Sequence, residues 1–334
     1  MLFREAQIDT IKQTFSHFKK FGMASNLIVM GVTGGGKTMA VKKTIQEESN
    51  FIYASCLDHN SIHKLLKAIT GANKHSISDL QSIFISQMKK DPKILIIDEI
   101  GKIKDIEEIS NILNAIYRSA GIPIIIITNK WTFVEEMPDD ARLTLFFNKV
   151  EFASYNALQL KEILKERINI IKNKHQIPEV REGALEYISG NVIKRHFGSA
   201  RVAIQILSAC IYNSDFSQKF IDKKMEDIED QDWRNFIYTL SDTEKKFFET
   251  IIELSENKEE IIPSDITNLM DVSPERVSQM ITYFASYGVI RAGVIKAEYK
   301  NLGKMGGRYR VITFPKPEYR KKLMKILKPW DGQE

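Results

Sequence analysis

The 334-residue sequence predicts an α/β domain built on a parallel sheet, followed by a small all-α domain and a C-terminal winged-helix domain. Three patterns lead to this expectation. Short continuous apolar runs (Leu27 to Met30, Ile94 to Ile97, Ile122 to Thr128) alternate with helix-like stretches in the first part of the chain. Strands buried on both faces read this way, and strands alternating with helices form parallel sheets covered on both sides. From Ala157 the periodicity becomes wholly helical, and beyond Ser241 three short helices precede two strand-like runs. The expected boundaries are 1–152 for the α/β base, 153–233 for the helical part and 234–334 for the winged helix.

In order along the chain, Ile8, Ile11, Phe15 and Phe18 recur at helical spacing over residues 5 to 21, an amphipathic helix ahead of the first strand. A helix from Met39 to Glu47 and a second strand, FIYAS (51–55), follow. Helices are expected over Ser61 to Thr70 and Ser78 to Lys89, each opening on a serine able to cap it. The strand at Ile94 is followed by a helix over Ile106 to Ser119, the strand at Ile122, and a short last strand at Val150 and Phe152. Helices over Leu158 to Lys172, Glu182 to Gly190 and Ser199 to Asn213 form the helical part. It ends in an acidic run, Glu226 to Asp232, read as a solvated joint.

In the third part, Ser241-Asp-Thr-Glu resembles a capping box, and Pro263 to Met270 is a short second helix. Ser273-Pro274-Glu275 opens a third helix with cap, N1 proline and early acid in place. Its stripe of Val277, Met280, Ile281 and Phe284 is apolar, and its other face carries Arg276, Gln279, Thr282 and Tyr283. Runs from Val289 to Tyr299 and Arg308 to Phe314, around the loop NLGKMGG, make the hairpin.

The chemistry is concentrated at GVTGGGKT, Gly31 to Thr38, which fits G-x-x-x-x-G-K-[ST] in the strand–loop–helix setting that a phosphate-binding loop needs. Gly31, Gly34, Gly35 and Gly36 let the backbone curl so that successive N–H groups face phosphate oxygens, and the following helix adds its positive dipole end. Lys37 is placed to reach the β- and γ-phosphates, and the Thr38 hydroxyl to hold Mg²⁺. The run ILIIDEI delivers Asp98 and Glu99 at a strand's carboxyl end, where ligands sit in open α/β sheets. Asp98 would complete the Mg²⁺ shell, and Glu99 would orient or deprotonate the attacking water.

Composition narrows the remaining classes. The longest apolar run is far shorter than a bilayer span, and no signal peptide is visible in MLFREAQIDT, so a cytoplasmic protein with no membrane partner is expected. Two cysteines, Cys56 and Cys210, cannot by themselves build a metal site or a disulfide framework. The formal net charge of +5 is unevenly spread: Gly288 to Lys328 carries twelve Lys/Arg against two Asp/Glu, leaving the rest of the chain acidic. A localised basic segment points to a polyanion partner. Arg276 and Gln279 suit base edges, and Lys300, Lys304, Arg308 and Arg310 around the hairpin suit phosphates of duplex DNA.

Taken together, these blocks resemble the AAA+ initiators of archaeal and eukaryotic replication, the origin recognition complex subunit 1 and cell division control protein 6 family. Phe3-Arg4-Glu5 resembles the family's motif ahead of its first helix, which helps form the adenine pocket. GVTGGGKT, FIYASC and LIIDEI follow in the family's order. IIIITNK puts Asn129 at the first sensor, and Arg142 in DDARLTLFF matches the arginine finger ahead of VEFASY (150–155). FGSARVAIQIL resembles the second-sensor helix, with Arg201 as the sensing arginine. The resemblance implies ATP or ADP bound by Phe3, Arg4, Gly31, Val32, Thr33, Gly34, Gly35, Gly36, Lys37, Thr38, Met39, Asp98, Tyr155 and Arg201, between base and helical domain. Catalysis would fall to Lys37, Glu99, Asn129, Arg142 and Arg201, with slow hydrolysis as a state switch. The implied partners are origin-like duplex DNA, a replicative helicase and other initiator subunits, and the implied location is the nucleoid, or the nucleus in a eukaryote. Residues 71 to 77 leave little room for the family's extra DNA-contacting insertion. An ATP-gated regulator of transposition or transcription with the same domains is the alternative, and a protein-binding scaffold a third.

Overall fold

The computed structural model describes residues 1–46, 48–130, 132–181, 183–286, 293–301 and 308–327. The chain divides into two compact units, Met1–Ile177 with Phe197–Gln205, and Pro178–His196 with Ile206–Glu334.

The first unit opens with α1 (Glu5–Phe21), β1 (Leu27–Gly31), α2 (Lys37–Ile45) and β2 (Phe51–Ser55). Then come α3 (Ile62–Thr70), α4 (Ile77–Lys90), β3 (Ile94–Asp98), α5 (Ile106–Ala120), β4 (Ile124–Thr128), α6 (Asp139–Leu145), β5 (Asn148–Phe152) and α7 (Ala157–Lys172). Five parallel strands lie in the order β2-β3-β4-β1-β5. Every residue of β1, β3 and β4 is buried, as a continuous apolar run between two helical layers requires. Each isoleucine of β4 removed from water contributes roughly 1.5–3 kcal/mol. At the edge, β5 alternates, with Val150 and Phe152 buried and Asn148, Lys149 and Glu151 exposed. Asn26 ties the opposite end of the sheet together: its Oδ1 accepts from Ile124 N at 2.8 Å, and its Nδ2 donates to the Leu145 carbonyl.

Several boundaries differ from expectation for identifiable reasons. Helix α2 begins at Lys37, because the loop turns directly into it at Gly36. Helix α4 is capped by Ser76, whose hydroxyl accepts from Asp79 N, so Ser78 falls inside the first turn. Residues 71 to 76 are only the connection between α3 and α4.

Helix α8 (Ala184–His196), in the second unit, runs past Gly190; α9 (Ala200–Asn213) begins in the first unit and ends in the second, where α10 (Gln218–Thr239) follows. The acidic run is not a joint: Glu226 to Asp232 lies inside the 22-residue α10, continued by the buried Trp233, Phe236 and Ile237. The capping box at α11 (Asp242–Asn257) forms as the sequence indicates, Ser241 and Glu244 bonding reciprocally. Helices α12 (Pro263–Leu269) and α13 (Pro274–Ser286), strands β6 (Lys296–Asn301) and β7 (Arg308–Thr313), and α14 (Pro317–Leu327) complete a winged helix. The first hairpin strand thus starts at Lys296, while residues 289 to 292 of the expected run lie outside the described residues. Phe236, Phe247, Phe248 and Phe284 form the core, with Phe248 and Phe284 centroids 4.6 Å apart, and Trp233 packs edge-on against Tyr319 at 4.8 Å.

Three elements of this unit meet in a charged cluster. Arg195 Nε donates to Glu229 Oε1 at 2.6 Å, and Lys322 Nζ donates to Asp230 Oδ1 at 2.7 Å. Burial alone would raise the Glu229 carboxyl, but the hydrogen bond and charge of Arg195 hold it below the usual carboxylate range. His196, buried beside it, is pushed below the ordinary imidazole value by burial, with Glu229 opposing. His196 is therefore harder to protonate in the fold than in the unfolded chain, which takes up its proton near pH 6.5. Stability is expected to fall as pH drops below about 6.5, and again at acid pH as Glu229 protonates through its lowered folded pKa. Thermal melts from pH 7.5 to 5 should show this slope, and His196→Gln should flatten it.

No helix among the described residues is long and apolar enough to cross a membrane. Cys56 and Cys210 are both buried free thiols, pushed up by burial to about 12 and about 11, and so are poor nucleophiles.

Candidate nucleotide site and nucleic-acid interface

The strand order decides what can meet. With β4 between β1 and β3, three adjacent strands, about 4.8 Å apart, end at Gly31, Thr128 and Asp98 on the same edge of the sheet. The phosphate loop rises from the first, Asn129 follows the second, and Asp98-Glu99 close the third.

Two glycines of the loop have no substitute. Gly31 sits at φ +149°, and a Cβ there would lie 2.2 Å from the Phe152 carbonyl oxygen. Gly34, at φ +78°, would drive a Cβ to 2.1 Å from Ser199 Oγ and 3.4 Å from Arg201 Cβ, so the loop lies directly against the start of α9. Gly36 precedes α2 without any side-chain cap, leaving the first-turn N–H groups to an anion. Lys37 is buried (6% exposed), and its Nζ donates to the carbonyls of Gly31 at 2.8 Å and Val32 at 3.0 Å. Burial pulls the Lys37 ammonium below its ordinary value; Glu99 and Asp98 oppose this, and Arg201 reinforces it. One lysine thus feels both acids and the α9 arginine.

Asp98 is 3% exposed, and both its oxygens are occupied: Oδ1 accepts from Glu99 N at 2.9 Å, and Oδ2 from the Tyr53 hydroxyl at 2.7 Å. Glu99 holds φ +53°, a left-handed conformation costing a residue with a Cβ about 1–3 kcal/mol, and such strain concentrates at functional positions. Asn129 Nδ2 donates to Thr33 Oγ1 at 3.4 Å, bridging the β4 end to the loop.

Arg4 takes a different place from a ligand in the open. It is 4% exposed, donates from Nε to the Gly35 carbonyl at 3.1 Å and from a terminal nitrogen to the Ala153 carbonyl at 2.6 Å, and lies 3.9 Å over the Tyr155 ring. Arg4 and Tyr155 therefore brace the loop from behind, with Tyr155 itself buried. Phe3 and Met39 are exposed, Thr33 lies open on the loop, and Val32 and Thr38 are half-buried. Arg142 is not drawn into this cluster: on α6 it pairs with Asp139 at 2.5 Å, beside the exposed Leu143 and Phe146.

Sequence reading missed Tyr53 and Ser199. Tyr53 was visible only as a strand residue, and its meeting with Asp98 depends on the parallel pairing of β2 with β3. Ser199 stood in the motif around Arg201 with nothing to mark its approach to Gly34.

On the winged helix, Arg276, Gln279, Thr282 and Tyr283 do form the exposed face of α13. Arg308 is exposed where the hairpin leaves its described part. Lys300 forms an ion pair with Glu260, and Arg310 donates to Thr282 Oγ1 at 2.9 Å and lies 5.8 Å from the Tyr299 ring centroid. Arg310 thus joins the hairpin to α13 instead of standing at its tip. Lys304 lies outside the described residues.

Comparison with known proteins fits this arrangement. Residues 22–132 match the family model described as an AAA domain. An ORC1-type DNA replication protein of Pyrococcus horikoshii is 26% identical over 339 residues, spanning 87% of this chain and 80% of the relative. Over most of its length the chain is similar to ORC1-type DNA replication proteins, and its nucleotide-binding part matches an AAA domain. The solved structure of the Aeropyrum pernix ORC1 protein in complex with DNA superposes on it with a TM-score of 0.78 at 17% identity, covering 98% of this chain and 92% of the other. The Aeropyrum pernix ORC2 protein in its ADP form reaches 0.54 at 16% identity, over 98% and 94% of the two chains. These likenesses extend the ORC1-type fold over nearly the whole chain, winged helix included.

Proposed function

We propose that this ORC1-type protein is an ATP-dependent initiator that binds origin-like duplex DNA, recruits or loads a replicative helicase, and uses slow ATP hydrolysis as a state switch. The observation that carries the reading is the phosphate loop, bridged to the end of β4 by Asn129 and packed against Ser199, in a sheet that also ends in Asp98 and Glu99, within a chain that bears a winged helix with an exposed α13 face. In this reading residues 1–152 are the ATPase base, 153–233 the helical domain and 234–334 the DNA-binding domain.

Lys37 and the first N–H groups of α2 would hold the terminal phosphates. The donor set of Thr38 hydroxyl and Asp98 carboxylate is hard oxygen throughout, which suits Mg²⁺. When bound, the ion would neutralise charge on the transferred phosphoryl group. Glu99 would orient the attacking water, Asn129 would watch the γ-phosphate from the end of β4, and Arg201 would add positive charge where it develops. Arg142, paired with Asp139 on α6, would act on the nucleotide of a neighbour or a partner where subunits stack.

On DNA, Arg276 and Gln279 would meet base edges while Arg308, Lys300 and Lys304 meet phosphates. Binding should then weaken with salt at a log–log slope of about −0.9 per phosphate contacted, and Arg308→Ala should lower that slope by about one, as fluorescence anisotropy at several salt concentrations will show. Capture of DNA fragments from the native genome by the purified protein, with and without ATP, tests the function itself. Enrichment of a replication origin supports the proposal, whereas enrichment of a promoter or a mobile-element end shows the transcription or transposition regulator instead.

A further inference from the structure

Tyr53 lies in the FIYASC strand and has been given no role in the site, yet its hydroxyl donates to Asp98 Oδ2 at 2.7 Å. The bond is not needed to hold the two strands together. Strands β2 and β3 already pair from Phe51 with Ile94 to Ser55 with Asp98, and Cys56 N donates to the Asp98 carbonyl at 2.8 Å. What the hydroxyl adds is a second fixed point on the carboxylate, whose other oxygen is held by Glu99 N at 2.9 Å. A carboxylate gripped at one oxygen still turns about its Cβ–Cγ bond, whereas one gripped at both is set. The Lys42 ammonium lies 5.2 Å from the ring centroid and holds the ring from its face.

We propose that Tyr53 is a positioning residue for a divalent cation, locking Asp98 in the orientation that the metal of a metal–nucleotide complex requires. The inference rests on the proposed ATP and Mg²⁺ reading of the site. Groups that orient a metal ligand commonly account for about 10–100-fold in metal affinity, and contribute nothing to a nucleotide bound without metal.

The test uses the full chain and Tyr53→Phe, which keeps the ring and removes only the hydroxyl. Affinity for a fluorescent ADP is measured in EDTA and through a Mn²⁺ titration, with bound Mn²⁺ followed by electron paramagnetic resonance. The expected result is equal ADP affinity in EDTA and a Mn²⁺ half-saturation raised about tenfold or more in the variant. Superimposable Mn²⁺ curves, with a wild type that responds to Mn²⁺, overturn the Tyr53 role alone. Loss of ADP affinity by the variant in EDTA marks a packing role, and overturns it as well. A wild type that binds no ADP, or binds it indifferently to Mn²⁺, overturns the nucleotide–metal reading and the Tyr53 role with it.

Discussion

Lys37→Ala is expected to weaken ATP binding by about ten- to a hundredfold, and Glu99→Gln to leave binding intact while slowing hydrolysis by about a hundredfold or more. The first estimate follows from what Lys37 contributes. It is a buried ammonium whose charge is disfavoured by burial and only partly supported by the acids nearby. A charge-assisted hydrogen bond in such a place is worth about 1.5–3 kcal/mol, which converts to that loss of affinity. Glu99 is different. Its backbone is strained and its neighbour Asp98 already has two partners, so its carboxylate is the acid left to work on water. Equilibrium binding of fluorescent ATP, with single-turnover hydrolysis alongside, separates the two roles. Unchanged hydrolysis in Glu99→Gln would remove that acid from the mechanism.

Trp233→Ala should destabilise the second unit by about 3–5 kcal/mol, the range for truncating a large buried aromatic side chain. Trp233 is fully buried in the middle of the winged-helix core, edge-on to Tyr319 and to Phe236. Its indole N–H has no hydrogen-bond partner among the described residues. Its contribution is therefore volume, and Trp233→Phe should cost much less than Trp233→Ala. Urea denaturation followed by calorimetry will give both values. A small loss for the alanine variant would mean that the core closes around the gap.

The parts of the fold that were readable in advance are those where backbone geometry restricts the residue type. Gly31 and Gly34 are glycines because any Cβ would strike the Phe152 carbonyl or the Ser199 hydroxyl, so their spacing announces the loop. The isoleucine runs of β3 and β4 and the Ser241–Glu244 box are equally local signals. Other features depended on contacts distant in sequence. The acidic run in α10 reads as solvated chain until Met225 and Trp233, both buried, are seen to anchor the helix on either side of it. Ser76 and Ser78 stand two residues apart, and only the turn geometry chooses the cap. Arg4 is named by resemblance, and only the fold shows its guanidinium on the carbonyls of Gly35 and Ala153. Arg310 reads as one more hairpin cation, until pairing of Tyr299 with Arg310 and the bond to Thr282 place it against α13.

The strand order also has a consequence for biosynthesis. β1, which emerges early, finds its two neighbours in β4 and β5, at residues 124–128 and 148–152. On the ribosome its apolar residues must wait until about a hundred further residues have been made before either flank can be zipped. During that interval a nascent chain has a complete phosphate-loop motif but no seat for it, and it is then that a chaperone would find Leu27 to Met30 uncovered.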